Sequence, residues 1–191
     1  LGTDIANMGT AAIAALTSEQ VAALTTAQIA ALGSEDTGAL SSAAVVGLSS
    51  SQVAALSTDA FGALGTDDLG QLTSAAVPGI TSAQVGTLNT AEVQALGTDI
   101  ATMGSAAMGA LTSGQVDALT AAQVDALGSE DVAALTTDGF SGLSTTDLSA
   151  LTPAQVAGIT SAQVGTLSTA EVQALGTDIA NMGTAAIAAL T

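Results

Sequence analysis

The feature that most constrains this chain is an eight-residue period that runs through nearly all of it. An aliphatic residue opens each unit. Leu16, Leu24, Leu32, Leu40, Leu48, Leu56, Leu64, Leu72, Ile80, Leu88 and Leu96 follow one another without a slip. The series resumes at Met103 and runs through Leu111, Leu119, Leu127, Leu135, Leu143, Leu151, Ile159, Leu167 and Leu175 to Met182 and Leu190. A typical unit is Leu16-Thr17-Ser18-Glu19-Gln20-Val21-Ala22-Ala23: an aliphatic, a hydroxyl or glycine, Ser or Thr, a variable residue, Gln or an acid, a second aliphatic, and two small residues. A period this regular calls for units that stack on their neighbours to share a core.

One long helix does not fit. The aliphatics alternate five and three residues apart, averaging four, so an apolar stripe would drift round a 3.6-residue helix. A β-solenoid is the alternative, but residues five apart on a strand point to opposite faces, and Ala-Gln-Val-Ala-Ala favours helix. A short helix accounts for every position. With Thr17 as N-cap, Gln20 falls at the third helical position and completes a capping box, while Leu16 and Val21 form a hydrophobic staple. Thr25 with Gln28, Ser49 with Gln52, Thr81 with Gln84 and Ser168 with Glu171 repeat the arrangement. Pro153 sits at the first helical position, where its missing N–H is harmless. The sequence therefore predicts an all-α solenoid of helices about six residues long, one per octapeptide, each too short to persist alone. Gly or Ala at the end of most units suits a sharp exit. Pro78 implies a helix ending at Val77, and Thr37, in an aliphatic slot, marks a weak unit.

Three units have seven residues, beginning at Leu1, Leu96 and Leu175, and all read LGTDIA followed by Asn or Thr. Residues 1–17 and 175–191 are identical, and 96–112 are a close copy. The copies begin 95 and 79 residues apart, a difference of two octads. If the repeated segments keep a constant phase, two octads make one turn, because the twelve and ten units between copies both divide by two. The chain shows no linker or charge block, so residues 1–191 are expected to form one continuous solenoid, a segment of a longer protein or filament.

Composition narrows the function. Seventeen Asp or Glu and no Lys, Arg or His leave a formal charge of −17, with nothing to meet phosphates of nucleic acid or anionic lipid. No apolar run approaches the ~20 residues needed to span a membrane. A nucleophilic Ser would need a base such as His or Lys. The acidic pairs Glu35/Asp36, Asp67/Asp68 and Glu130/Asp131 could be read as catalytic or Ca²⁺-binding. Their place in the first helical turn makes dipole complementation the better account. Weak, diffuse Ca²⁺ binding is the one cofactor left open. The Met residues, Met8, Met103, Met108 and Met182, together with Phe61 and Phe140, occupy aliphatic slots and are expected in the core. No catalytic, cofactor or metal residue is assigned, and no enzyme or small-molecule substrate is expected.

The octads Leu16 to Leu24 and Leu151 to Ile159, of the form LTxxQVxAL, resemble repeat tracts in very large exported bacterial proteins of the adhesin or surface-fibre type. The resemblance covers essentially the whole chain and transfers no functional residues. It implies an extracellular or cell-surface structural role: a filament or stalk segment acting by extension and self-association. The alternative is an adhesin or spacer module with weak Ca²⁺-dependent binding through its acidic rows.

Overall fold

The computed structural model describes residues 3–190; Leu1, Gly2 and Thr191, and with them the expected core position at Leu1, lie outside the described residues. Every regular element among the described residues is helical and none is a strand, which removes the β-solenoid alternative. The α-helices have four to six residues and the 3-10 helices three to six. The octad divides into a helical segment and a corner of two extended residues. Leu56 (φ −63°, ψ 135°) and Ser57 (φ −62°, ψ 161°) make one such corner. The second corner residue is the N-cap, so one hydroxyl both turns the chain and starts the next helix.

The chain divides into two compact units, Leu1–Gly104 and Ser105–Thr191. The first holds η1 (Thr3–Asn7), α1 (Thr10–Ala14), α2 (Ser18–Ala22), α3 (Thr26–Ala30), α4 (Ser34–Thr37), α5 (Ser42–Val45), α6 (Ser50–Ala55), α7 (Thr58–Phe61), α8 (Thr66–Leu69), η2 (Val77–Gly79), α9 (Ser82–Val85), α10 (Thr90–Ala95) and η3 (Gly97–Thr102), where η marks a 3-10 helix. The second holds α11 (Ser105–Met108), α12 (Ser113–Asp117), α13 (Ala121–Ala126), α14 (Ser129–Ala134), α15 (Thr137–Phe140), α16 (Thr145–Ala150), α17 (Pro153–Val156), α18 (Ser161–Val164), α19 (Thr169–Ala174), η4 (Gly176–Asn181) and α20 (Thr184–Ile187).

In each unit a helix packs on the one three octads further on, not two. The columns of the first unit are η1, α3, α6, η2 and η3; α1, α4, α7 and α9; and α2, α5, α8 and α10. Those of the second are α11, α14, α17 and η4; α12, α15, α18 and α20; and α13, α16 and α19. The expected two-octad turn is thus wrong, and the turn has three sides. Each octad carries two inward side chains, one at the corner and one on the helix. Leu56 at a corner and Val53 and Phe61 on helices are all buried. A corner after each helix closes a triangle with both sets inside. The phase argument failed because its premise failed: ten octads do not divide by three, so the repeated segment keeps no constant phase.

The seven-residue units are the exception that fits. Leu96 stays helical (φ −62°, ψ −12°) and Gly97 takes a left-handed φ of +54°, so the extended corner disappears. Gly176 has the same φ. A 3-10 helix rises about 2.0 Å per residue against 1.5 Å for an α-helix, so the side is spanned with one residue fewer. The variable seventh residue closes this helix. Thr102 Oγ1 donates to the Asp99 carbonyl at 2.7 Å, and Asn181 Nδ2 to that of Asp178 at 3.0 Å.

Three local expectations change. Pro78 does not follow a helix ending at Val77: residues 74–76 form a turn and the 3-10 helix η2 spans Pro78 itself, because its absent N–H breaks the α ladder. Thr37 is fully buried, yet its hydroxyl donates to the Gly33 carbonyl at 2.9 Å, so the slot holds a satisfied polar group. Helix exits are right-handed, as at Ala23 and Gly38. Glycine at the unit end serves a different purpose. A Cβ on Gly47, Gly79, Gly142 or Gly158 would fall on the carbonyl of Ser18, Ser50, Ser113 or Ser129, each one turn earlier. Backbone meets backbone there, and only glycine fits.

Candidate functional site

The most elaborated chemistry lies in the seam between successive turns. The expected capping boxes are present. Gln52 Oε1 accepts from Ser49 N–H at 2.8 Å, Gln84 Oε1 from Thr81 N–H at 2.8 Å, and Glu171 Oε2 from Ser168 N–H at 2.6 Å. Sequence reasoning missed what the glutamine amide does. Gln52 Nε2 donates to the carbonyls of Val21 and Leu24, both at 2.8 Å, 31 and 28 residues back. Gln84 reaches Val53 and Leu56 at 2.8 and 2.9 Å with the same spacings. Gln155 does so to Val124 and Leu127, and Gln163 to Val132 and Leu135.

One side chain thus starts its own helix through its oxygen and closes a helix exit of the previous turn through its nitrogen. This explains why these glutamines are buried in a chain rich in polar surface. A buried amide is tolerated when its donors and acceptor are all used. Among the described residues no buried side-chain polar atom lacks a partner. The available signal was the choice of Gln over Glu in most boxes. A carboxylate caps equally well but has no proton to send backwards.

The acidic pairs are not brought together. Glu35/Asp36 lie on α4, in one column of the first unit, and Asp67/Asp68 on α8, in another; Glu130/Asp131 lie on α14 in the second unit. Each occupies a first helical turn, as expected. Asp68 Oδ2 accepts from Gly65 N–H at 3.2 Å, and its Oδ1 accepts from the Ser42 hydroxyl of the preceding turn at 2.8 Å. Asp138 takes the Ser113 N–H and hydroxyl in the same way, at 3.3 and 3.5 Å. The carboxylates therefore also tie turns together. Burial pushes the Asp131 carboxyl up from its ordinary range and the charge of Glu130 adds to this, while the Gly128 N–H, donating to Oδ2 at 2.7 Å, opposes it. Among the described residues no three Asp, Glu, His or Cys are grouped so as to hold a metal ion, and no helix is long and apolar enough to cross a membrane.

Phe61 and Phe140 are buried, as are Met103, Met108 and Met182. Met8 departs from expectation and is exposed.

The octads carry the string Ala-Leu-Thr-Thr-Ala-Gln at residues 23–28 and close variants at 118–123 and 150–155. A model of the ALTTAQ repeat matches the chain five times, at residues 3–34, 29–66, 61–98, 100–137 and 140–177. No match was found among the curated proteins or among the solved structures. Matched along most of its length, with the Thr and Gln of the motif serving as cap and inter-turn tie, the chain belongs to the ALTTAQ repeat family.

Proposed function

We propose that this chain is a structural segment of an extracellular stalk or filament in an exported bacterial surface protein, acting by spanning distance and by self-association. The observation that carries the reading is the repeated seam. In both units glutamine amides tie one turn to an earlier one, and much of the buried polar chemistry serves that stacking. Local contacts of this kind make stability a nearest-neighbour sum and allow turns to be added without redesign. A sequence without Lys or Arg also offers no site to trypsin-like proteases, which suits an exposed location. The reading gives the chain no catalytic role. Electron microscopy of the purified chain tests it: elongated particles are expected, and compact monomers alone would reject it.

A further inference from the structure

The glutamine ties are not spread evenly round the triangle. In the first unit Gln52 lies on α6 and Gln84 on α9, in two different columns. The third column, α2, α5, α8 and α10, places Ala44, Asp68 and Glu92 at the equivalent position of its last three helices. The second unit repeats the arrangement. Gln155 lies on α17 and Gln163 on α18, and the third column carries Asp147 on α16 and Glu171 on α19. Glu92 stands 31 and 28 residues beyond Phe61 and Leu64, the same spacings that bring Gln84 to Val53 and Leu56. Glu171 stands so beyond Phe140 and Leu143. Both glutamates keep the cap: Glu92 Oε2 accepts from Asn89 N–H at 2.8 Å and Glu171 Oε2 from Ser168 N–H at 2.6 Å. Neither can donate, and among the described residues no side chain donates to the carbonyls of Phe61, Leu64, Phe140 or Leu143.

We propose that each unit has one compliant side, on which the seams α8/α10 and α16/α19 open first while the glutamine-tied seams stay closed. Two further observations lie on the same side. Carboxylates follow one another there in successive turns, Asp68 then Glu92 and Asp147 then Glu171. Packed helices stand about 8–10 Å apart, close to the ~8 Å screening length at physiological salt, and the chain has no cation of its own to neutralise the charge. The seams are also open to water. A groove of about 580 Å³ runs past Thr66, Asp67 and Ala95, and one of about 370 Å³ past Asp117, Leu143 and Glu171. Opening one side while the other two stay tied tilts successive turns apart without separating them. A unit therefore yields by bending before it unfolds. The inference does not depend on the filament reading, since it concerns contacts inside one chain.

The test is native-state hydrogen exchange of the full chain, read by NMR at neutral pH and low salt. Val85 on α9 and Val93 on α10 are matched reporters. Both are 0 % exposed, and their N–H groups donate to the Thr81 and Asn89 carbonyls at 3.0 Å. Helices this short lose their structure when a neighbour withdraws, so exchange reports opening of the seam. Corrected for intrinsic rates, Val93 is expected to exchange about tenfold faster than Val85. Glu92→Gln supplies the missing donors and should slow Val93 by about tenfold, with Val85 little changed. Asp67→Asn, exposed on the same column, removes one charge without supplying a donor to Phe61 and Leu64 and should slow Val93 much less. Added salt should slow Val93 more than Val85. Circular dichroism checks that both variants fold as the wild type does. Equal protection of Val93 and Val85, a Glu92→Gln chain with Val93 unchanged, or an Asp67→Asn effect as large as that of Glu92→Gln each overturns the proposal. None of these outcomes bears on whether the purified chain is elongated, so the filament reading stands or falls separately.

Discussion

Replacing Gln84 isolates the inter-turn tie, because its exposed counterpart Gln20 makes the cap without the tie. Gln84 is buried; its side chain accepts from Thr81 N–H and donates to the carbonyls of Val53 and Leu56. Gln84→Ala removes all three bonds, which at about 0.5–1.5 kcal/mol each sum to roughly 2–4 kcal/mol. Gln20→Ala removes one exposed cap bond, worth about 1 kcal/mol. Gln84→Glu is the sharper change. It keeps the capping oxygen, deletes both donors, and sets a buried carboxylate against two carbonyls, a cost of about 3–5 kcal/mol when the charge has no partner. Burial raises the folded-state pKa of such a carboxyl above its unfolded value, so the penalty is full at neutral pH and falls as pH drops and the group is protonated. Gln20→Glu stays exposed and changes little across the same range. Urea unfolding followed by circular dichroism at pH 7 and pH 4 measures both, and hydrogen exchange at Leu56 and Thr81 localises the effect. Equal losses for Gln84→Glu and Gln20→Glu at pH 7 would refute the tie.

Other perturbations address the remaining features. Gly79→Ala should destabilise by several kcal/mol, since the new Cβ meets the Ser50 carbonyl, whereas Gly114→Ala, with open space around it in α12, should stabilise by about 0.5–1 kcal/mol; thermal melts compare them. Asp131→Asn should raise the melting temperature at neutral pH. The raised carboxyl pKa means that the charged form opposes folding above that pKa, so the gain should vanish as pH falls and Asp131 is itself protonated. Raising ionic strength from about 0.01 to 0.15 M shortens the screening length from ~30 to ~8 Å and should raise the melting temperature of a −17 chain; an unchanged or lower value would contradict the charge argument. A chelator should leave helicity and melting untouched, and a loss of either would favour the cation-dependent adhesive alternative.

Local structure was legible because its signals lie within one octad. Thr17, Gln20 and Val21 name the cap, the box and the staple, and α2 starts where they place it. Pro153 likewise marks the start of α17. The number of sides per turn was not legible in the same way. It depends on the angle of the corner at residues such as Leu56 and Ser57, which follows from packing two inward side chains per octad and not from any residue type. Arithmetic on the repeated segment could not replace that geometry, since the LGTDIA units change conformation at Gly97 and Gly176 and need no fixed phase. The glutamine tie was half legible. The oxygen's role follows from spacing inside the octad, but the amide's partners lie 28 and 31 residues away, at a distance defined only once the turn is known. Met8 and Met182 share an identical local sequence and differ in burial, so position within the stack, invisible to local reading, decides exposure.

The three-sided turn is the claim on which the rest depends, and paired spin labels test it directly. The chain has no native Cys to interfere. Ala27 and Ser51 are exposed, 24 residues apart, on helices α3 and α6 that pack as neighbours in one column. Ala27 and Ala43, 16 residues apart, lie on α3 and α5, in different columns. Packed helices stand about 8–10 Å apart, so nitroxides on Ala27→Cys/Ser51→Cys should show strong dipolar broadening and those on Ala27→Cys/Ala43→Cys markedly less. Stronger broadening at the 16-residue spacing would mean a two-octad turn and would contradict the fold described.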